Sequence, residues 1–210
     1  MRSMSKVFKS FMSMVITAIL LASLTAIASA ETPPGYKHES KTVEYSCNAQ
    51  VGSTNIPIQM FANIEADVPL SVQSEQSFTV KNSFATITLP SLYVTTLRLI
   101  LGWTSFEGNV SLFEVNADNP NQTVNVAASP ISIPVTSVPL FGDLNFVVPS
   151  TGGIDVDFYA GSPGNINLSA GNNSATFVKG SSSGGLVDTL TVNCQPRQSG
   201  DTILTTIPVN

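Results

Sequence analysis

Apolar and polar residues trade places at every second position along most of this chain. In "TVEYSCNAQ" (Thr42–Gln50), Val43, Tyr45, Cys47 and Ala49 share one face, while Thr42, Glu44, Ser46 and Asn48 share the other. "NIPIQMFANIEADVP" aligns Ile56, Ile58, Met60, Ala62 and Ile64 in the same way. Shorter runs follow in "SFTVKN", "SFATITLP", "SFEGNVSLFEVNA", "QTVNVAAS", "DLNFVVPS", "GIDVDFYAG", "NINLSAG", "NSATFVKG" and "LVDTLTVNC". A period of two is that of a half-buried strand, and Gly, Pro, Asn or Ser bounds each run. About ten short strands separated by turn residues predict an all-β fold, an immunoglobulin-like or jelly-roll-like β-sandwich.

Two stretches depart from simple alternation. "LPSLYVTTLRLILGW" (Leu89–Trp103) spaces Tyr93, Leu97, Ile100 and Leu101 at helical intervals, with Pro90 where a first turn tolerates it and Gly102 where a helix stops. Val94, Thr95 and Thr96 are β-branched and favour strand. The spacing nevertheless predicts one short helix, placed to plug an open end of the sheets. "SPISIPVTSVPLFGD" carries Pro130, Pro134 and Pro139, which cannot donate ladder bonds, so it reads as an edge strand or a crossover.

The first thirty residues follow neither pattern. Arg2, Lys6 and Lys9 precede the apolar run Met14–Ala28, and Ala28-Ser29-Ala30 is a small-x-small cleavage pattern, so residues 1–30 read as a signal peptide. The run is short for a span and is broken by Thr17, Ser23 and Thr25, so no membrane span is expected after cleavage. The Pro- and Gly-containing stretch 31–40 reads as a flexible lead-in, 41–210 as a single β-sandwich domain, and "GSSSGG" (Gly180–Gly185) as a flexible loop. A secreted, extracellular protein is expected. With no LPxTG-type tail in the sequence, any association with a cell wall would be non-covalent.

Export changes the meaning of the two cysteines. Cys47 lies on the apolar face of the first strand, and Cys194 shares its face with Leu190 and Val192. An even cysteine count in an oxidising compartment predicts a Cys47–Cys194 disulfide, and hence first and last strands as neighbours, within one sheet or across two. A metal pair would need more ligands than two cysteines, and a catalytic thiol would need a histidine beside it.

Charge and chemistry narrow the function further. Without the leader the chain keeps six basic residues against fourteen acidic ones, with the cations scattered, so no nucleic-acid partner is expected. The single histidine, His38, falls in the lead-in and reads as a solvated tail residue, which leaves a Ser-His-Asp or Cys-His centre without a base. No catalytic residue, metal site or cofactor is predicted. Asp155 and Asp157 share one face of a strand, about 7 Å apart by strand rise. They could serve a Ca²⁺ site or a glycosidase pair, but the alternation with Ile154, Val156 and Phe158 already explains them as a solvent face. Glu65 and Asp67 form a similar pair. Trp103, near Tyr93 and Phe106, reads first as a core plug and second as an aromatic contact for a sugar or peptide. The sequons at Asn109, Asn121, Asn167 and Asn172 follow a leader of bacterial type and read as ordinary polar positions.

"EYSCNAQ", "LPSLYVTTLRLILGWTSFEGNVSLFEVN" and "LTVNCQPRQSGDTILTTIPVN" together resemble a family of exported Gram-positive bacterial domains of unknown function. Tyr45 and Cys47, Pro90 through Val110, and Cys194 with Pro196 carry the resemblance. It implies a β-sandwich with a terminal disulfide and brings no catalytic residue. The sequence therefore points to a secreted or cell-surface module with a binding or structural role, its ligand a glycan or a protein at the cell surface. Two alternatives stand beside it. One is a carbohydrate-active hydrolase using the paired carboxylates. The other is a fibre subunit that exchanges its terminal strand "DTILTTIPVN" (Asp201–Asn210) through an open sheet edge.

Overall fold

A computed structural model describes residues 32–180, 188–197 and 202–210. The signal-peptide expectation and most of the "GSSSGG" loop lie outside the described residues. Thr32–Asn210 forms one compact unit. Its strands are β1 (Tyr36–Val51), β2 (Thr54–Pro69), β3 (Ser77–Leu89), β4 (Ser105–Asp118), β5 (Asn121–Asn125), β6 (Ile131–Ser137), β7 (Leu144–Val148), β8 (Ile154–Tyr159), β9 (Gly164–Lys179), β10 (Thr189–Pro196) and β11 (Ile203–Val209). The all-β class with one short helix holds, as one continuous eleven-stranded antiparallel sheet.

The alternation predicted the faces correctly. Val43, Tyr45, Cys47 and Ala49 on β1, and Leu190, Val192 and Cys194 on β10, are all buried. β1 begins at Tyr36, however, so the second half of the expected lead-in belongs to the sheet. Tyr36 through Val51 pair without interruption with Pro69 back to Thr54, across a two-residue turn in which Gly52 has φ +58. Tyr36–Ser40 carry no apolar alternation; the ladder with β2 orders them instead. His38 consequently sits in a strand rather than in a solvated tail.

Five strands are long enough to serve two cores. The outer end of the molecule has the order β6-β4-β9-β10-β1-β2-β3-β7, and it curls until β6 and β7 approach each other. Its interior is the cluster around Tyr45, Cys47, Ala62, Trp103, Phe106, Ile133 and Cys194. At the inner end β8 replaces β7, β11 replaces β10, and β5 replaces β6. There Val68, Val80, Val156, Phe158, Ile166, Leu168 and Ile207 form the second cluster. β6, the proline-bearing segment, pairs with β4 as an edge strand, and Pro134 falls at a register shift between its pairs.

Both inner edges are covered. Gln122 Nε2 donates to the Tyr159 carbonyl at 2.7 Å, and the Gly161 N–H donates to the Asn119 carbonyl at 3.0 Å, joining β5 to β8. On the other side the Asn210 and Val72 amides donate to Val72 and Pro208 carbonyls at 2.9 Å. The terminal strand β11 is thus paired with β9 on one flank and with Val72 on the other, inside its own chain. Asn167, one of the sequon residues, ties three strands. Its N–H and Nδ2 donate to Asp118 at 2.8 and 2.7 Å, and its Oδ1 accepts from Thr206 at 2.6 Å. The Asn167 backbone N–H is the main reason that the Asp118 carboxyl titrates below its usual range.

β3 bends where it passes from one core to the other. Register shifts on both of its flanks bracket Asn82, which has φ +52. Asn82 Nδ2 donates to Asp67 Oδ2 at 2.7 Å and its N–H to Asp155 Oδ1 at 3.1 Å. Asp67 is only 2% exposed, and its other oxygen contacts His38 Nδ1 at 3.1 Å.

The predicted disulfide closes the seam between β1 and β10. Cys47 and Cys194 stand directly opposite in the ladder, with Cα atoms 4.0 Å apart and an S–S bond of 2.03 Å. The two strands are neighbours within one sheet. Two residues before the bridge, Tyr45 is fully buried, and its hydroxyl, close to Asn173, lacks a hydrogen bond of ordinary geometry. Burial pushes its pKa up to about 12, and Asn173 offsets part of that rise.

Three outcomes are expected. Replacing Cys47 and Cys194 together by serine lowers unfolding stability in urea by about 2–5 kcal/mol, because the bridge closes a loop of 147 residues in the unfolded chain. Asn82→Ala costs about 2–3 kcal/mol through the left-handed backbone and the lost partner of a buried carboxylate, and Asn82→Gly costs less. For Tyr45 the folded pKa lies above the unfolded value of 10.0, so the unfolded chain loses its proton first. Stability therefore falls as pH rises above about 10. Tyr45→Phe is neutral or slightly stabilising at pH 7 and removes part of that alkaline loss, as urea midpoints at the two pH values will read.

Candidate functional site

The outer core is not filled. Beneath the predicted helix lies a cavity of about 270 Å³, against about 50 Å³ for each of two smaller voids. β2 supplies Ile56, Ile58 and Met60, the face that alternates with exposed Pro57, Gln59 and Phe61. β1 and β10 supply Ala49 and Val192, which are opposite one another in the ladder and two residues beyond the disulfide. The bridge itself packs against Met60, whose sulfur is 3.4 Å from Cys194 Sγ. A covalent clamp thus sets the spacing of one cavity wall.

Three phenylalanines from three strands form a further wall. Phe106 on β4 meets Phe146 on β7 at 5.6 Å and Phe177 on β9 at 5.4 Å between ring centroids, each edge to face. Phe146 and Phe177 close the triangle at 6.2 Å. Edge-to-face packing suits the ring quadrupoles and holds the three rings in fixed orientations.

The helix is the lid. α1 (Ser91–Thr95) starts after Pro90 and runs on as a wide π turn over Thr96–Ile100. The threonines that argued for strand explain its shape. Thr95 and Thr96 hydroxyls donate back to the Ser91 and Leu92 carbonyls at 2.8 and 3.1 Å. Hydroxyls that compete for these carbonyls loosen the regular ladder, and wide turns of this kind recur at functional sites. The Leu101 N–H donates to the Thr96 carbonyl and the Trp103 N–H to the Leu97 carbonyl, and Gly102 at φ +72 ends the segment as expected. Leu92, Tyr93, Thr96, Leu97 and Leu101 face the cavity from this lid.

Of the four candidate ligand contacts Tyr93, Trp103, Asp155 and Asp157, the first two therefore line one cavity. Trp103 is 1% exposed and serves as core and cavity wall together. Asp155 and Asp157 are elsewhere, exposed on β8. Asp157 accepts from Thr79 Oγ1 at 2.6 Å and Asp155 accepts from the Asn82 N–H, so both latch β8 to β3. Glu65 accepts from Asn63 at 2.8 Å and contacts His38 Nε2 at 3.3 Å. The acids that a hydrolase would use are engaged in bonds between strands. Among the described residues no group of three or more His, Cys, Asp or Glu stands together to hold a metal, and no helix is long and apolar enough to cross a membrane.

Sequence reasoning missed the other lining residues because alternation marks a face as inward without saying whether the inside is full. The available signal was the helical spacing at Leu89–Trp103, which placed a plug over an open end. What the site offers chemically is an apolar pocket, partly open to solvent, whose only lining hydroxyls belong to Tyr93 and Thr96.

No curated protein matches this chain. Among solved structures it is similar to a Corynebacterium diphtheriae protein described there as membrane anchored, with 15% identity and a TM-score of 0.44, over 81% of this chain and 37% of that one. The chain thus spans little more than a third of that protein's length. A family model described as a family of unknown function, DUF6801, matches residues 44–205, from β1 into β11, and the chain belongs to that family.

Proposed function

We propose that this chain is an exported, cell-surface binding module without catalytic activity, and that its ligand is an apolar small molecule held beneath α1. The leader at 1–30 and the oxidised cysteine pair support export. The cavity is the observation that carries the ligand reading. Protein interiors pack to crystal-like density, whereas here about 270 Å³ stands unfilled, partly open to solvent and lined almost wholly by apolar side chains. A smaller apolar cavity in another protein stays dry and takes up benzene, so a space of this kind suits a hydrocarbon better than water. A glycan, with its many hydroxyls, would find almost no partner there.

Size bounds the ligand. At roughly 30 Å³ for each water-sized unit, the cavity holds about nine non-hydrogen atoms, the reach of a medium-length acyl tail. At about 0.8 kcal/mol per buried methylene, such a tail would bind with a dissociation constant on the order of ten micromolar.

Trp103, the only tryptophan, reports directly on the cavity. Titrating the oxidised mature chain with decanoate and dodecanoate is expected to shift its emission saturably, at one ligand per chain. Ala49→Leu and Val192→Phe, which fill the space, are expected to weaken binding at least tenfold while the unfolding midpoint holds or rises. A flat response from folded protein to fatty acids, isoprenoid alcohols and a sterol would overturn the reading.

A further inference from the structure

The lid has a second, outward face. Leu92, Leu99 and Ile100 are 70%, 70% and 76% exposed, and Leu140 and Phe141, in the loop between β6 and β7, are 55% and 89% exposed. Two hydrogen bonds hold that loop alongside the lid. Asp143 Oδ1 accepts from the Ser91 N–H at 2.8 Å at one end, and the Val138 N–H donates to the Thr104 carbonyl at 2.9 Å at the other. The five apolar side chains therefore gather at one end of the molecule, and Leu92 belongs both to this face and to the cavity wall. Single exposed apolar residues are ordinary on a protein surface, whereas a gathered group marks a contact site.

Charge sharpens the picture. The chain is acidic, yet Leu89–Phe106 contains a single charged residue, Arg98, and residues 126–142 contain none. Asp143 is turned onto the start of α1. Arg98 is in none of the ion pairs among the described residues. Glu107 and the Lys179–Asp188 pair are the other charges on neighbouring strand ends.

We infer that this face docks on a lipid surface, with Leu92, Leu99, Ile100, Leu140 and Phe141 entering the boundary between headgroups and acyl chains and Arg98 meeting a lipid phosphate. Amphipathic segments with apolar side chains and a cation bind membranes in this manner. The inference rests on the ligand reading above, because continuity with a cavity suited to acyl chains selects a lipid surface over a second copy of the chain. Docking there brings α1 and Leu92 against the source of the ligand.

The test is flotation of the oxidised mature chain with vesicles of phosphatidylcholine alone or with phosphatidylglycerol. The chain is expected to float with both, more strongly with the anionic mixture. Leu99→Gln combined with Phe141→Gln is expected to lower partition at least tenfold, and Arg98→Gln to remove the gain from phosphatidylglycerol alone. All three positions are at least partly exposed, so the melting temperature should hold. Ala49→Leu, which fills the cavity, is expected to float as the parent does, so that vesicle binding and ligand binding fail separately. Equal partition of parent and double variant would overturn the inference. So would a concentration-dependent dimer abolished by the double variant without any flotation, since the face would then be covered by a second copy.

Discussion

The β1–β10 ladder is the seam on which the fold depends. On one side of it lie β1, β2, β3, β7 and β8, and on the other β4, β5, β6, β9, β10 and β11. Each group is held internally by its own ladders, while the main hydrogen-bonded junction between them is the six-residue pairing of Tyr45–Gln50 with Thr191–Pro196. Six antiparallel pairs at the junction of two groups are a modest hold. The sulfur bridge in their midst makes the junction permanent, and the buried Tyr45 beside it fills the adjoining core. Because Ala49 and Val192 continue the same ladder, the clamp also sets the width of the cavity wall.

Long strands shared between two cores create the conditions for that cavity. β2, β3, β4 and β9 bend at register shifts, and Asn82 holds one such bend by binding Asp67 and Asp155 at once. The inner end is closed along both edges and packed by small aliphatic side chains around Phe158. The outer end curls around a wider space, which the three phenylalanines and the lid line without filling. One molecule thus combines a well-packed end with a loosely packed one.

The lid shows how local preference and tertiary demand are reconciled. Thr95 and Thr96 are poor helix residues, and their hydroxyls take carbonyls that a regular ladder would use. The wide turn that follows brings Leu97 and Leu101 over the cavity while Leu99 and Ile100 remain in solvent. The β-branched residues that weighed against a helix in the sequence are the reason that this helix is not a regular one.

Alternation, turn residues and prolines were enough to read most strand segments and their buried faces, the proline segment as an edge strand or crossover, and the boundaries of the lid from Pro90 to Gly102. But "SFTVKN" with "SFATITLP" and "NINLSAG" with "NSATFVKG", read as separate short strands, are single long strands, β3 and β9, because ladders with partner strands carry the chain through each bend. The cysteine pairing followed from compartment and face, because both are local properties of sequence. Residues Tyr36–Ser40 were misread as a lead-in, since only a partner strand, and no apolar rhythm of their own, orders them. His38 and Asp67, Asn82 and Asp155 met only through strand register, which depends on residues far apart in the chain. The sequence by itself determined which side chains point inward. How closely the walls approach, and so whether the interior is solid or hollow, was decided only by the tertiary structure, because the spacing between strands that face each other across a core depends on the curl of the whole sheet and on the bridge that closes it.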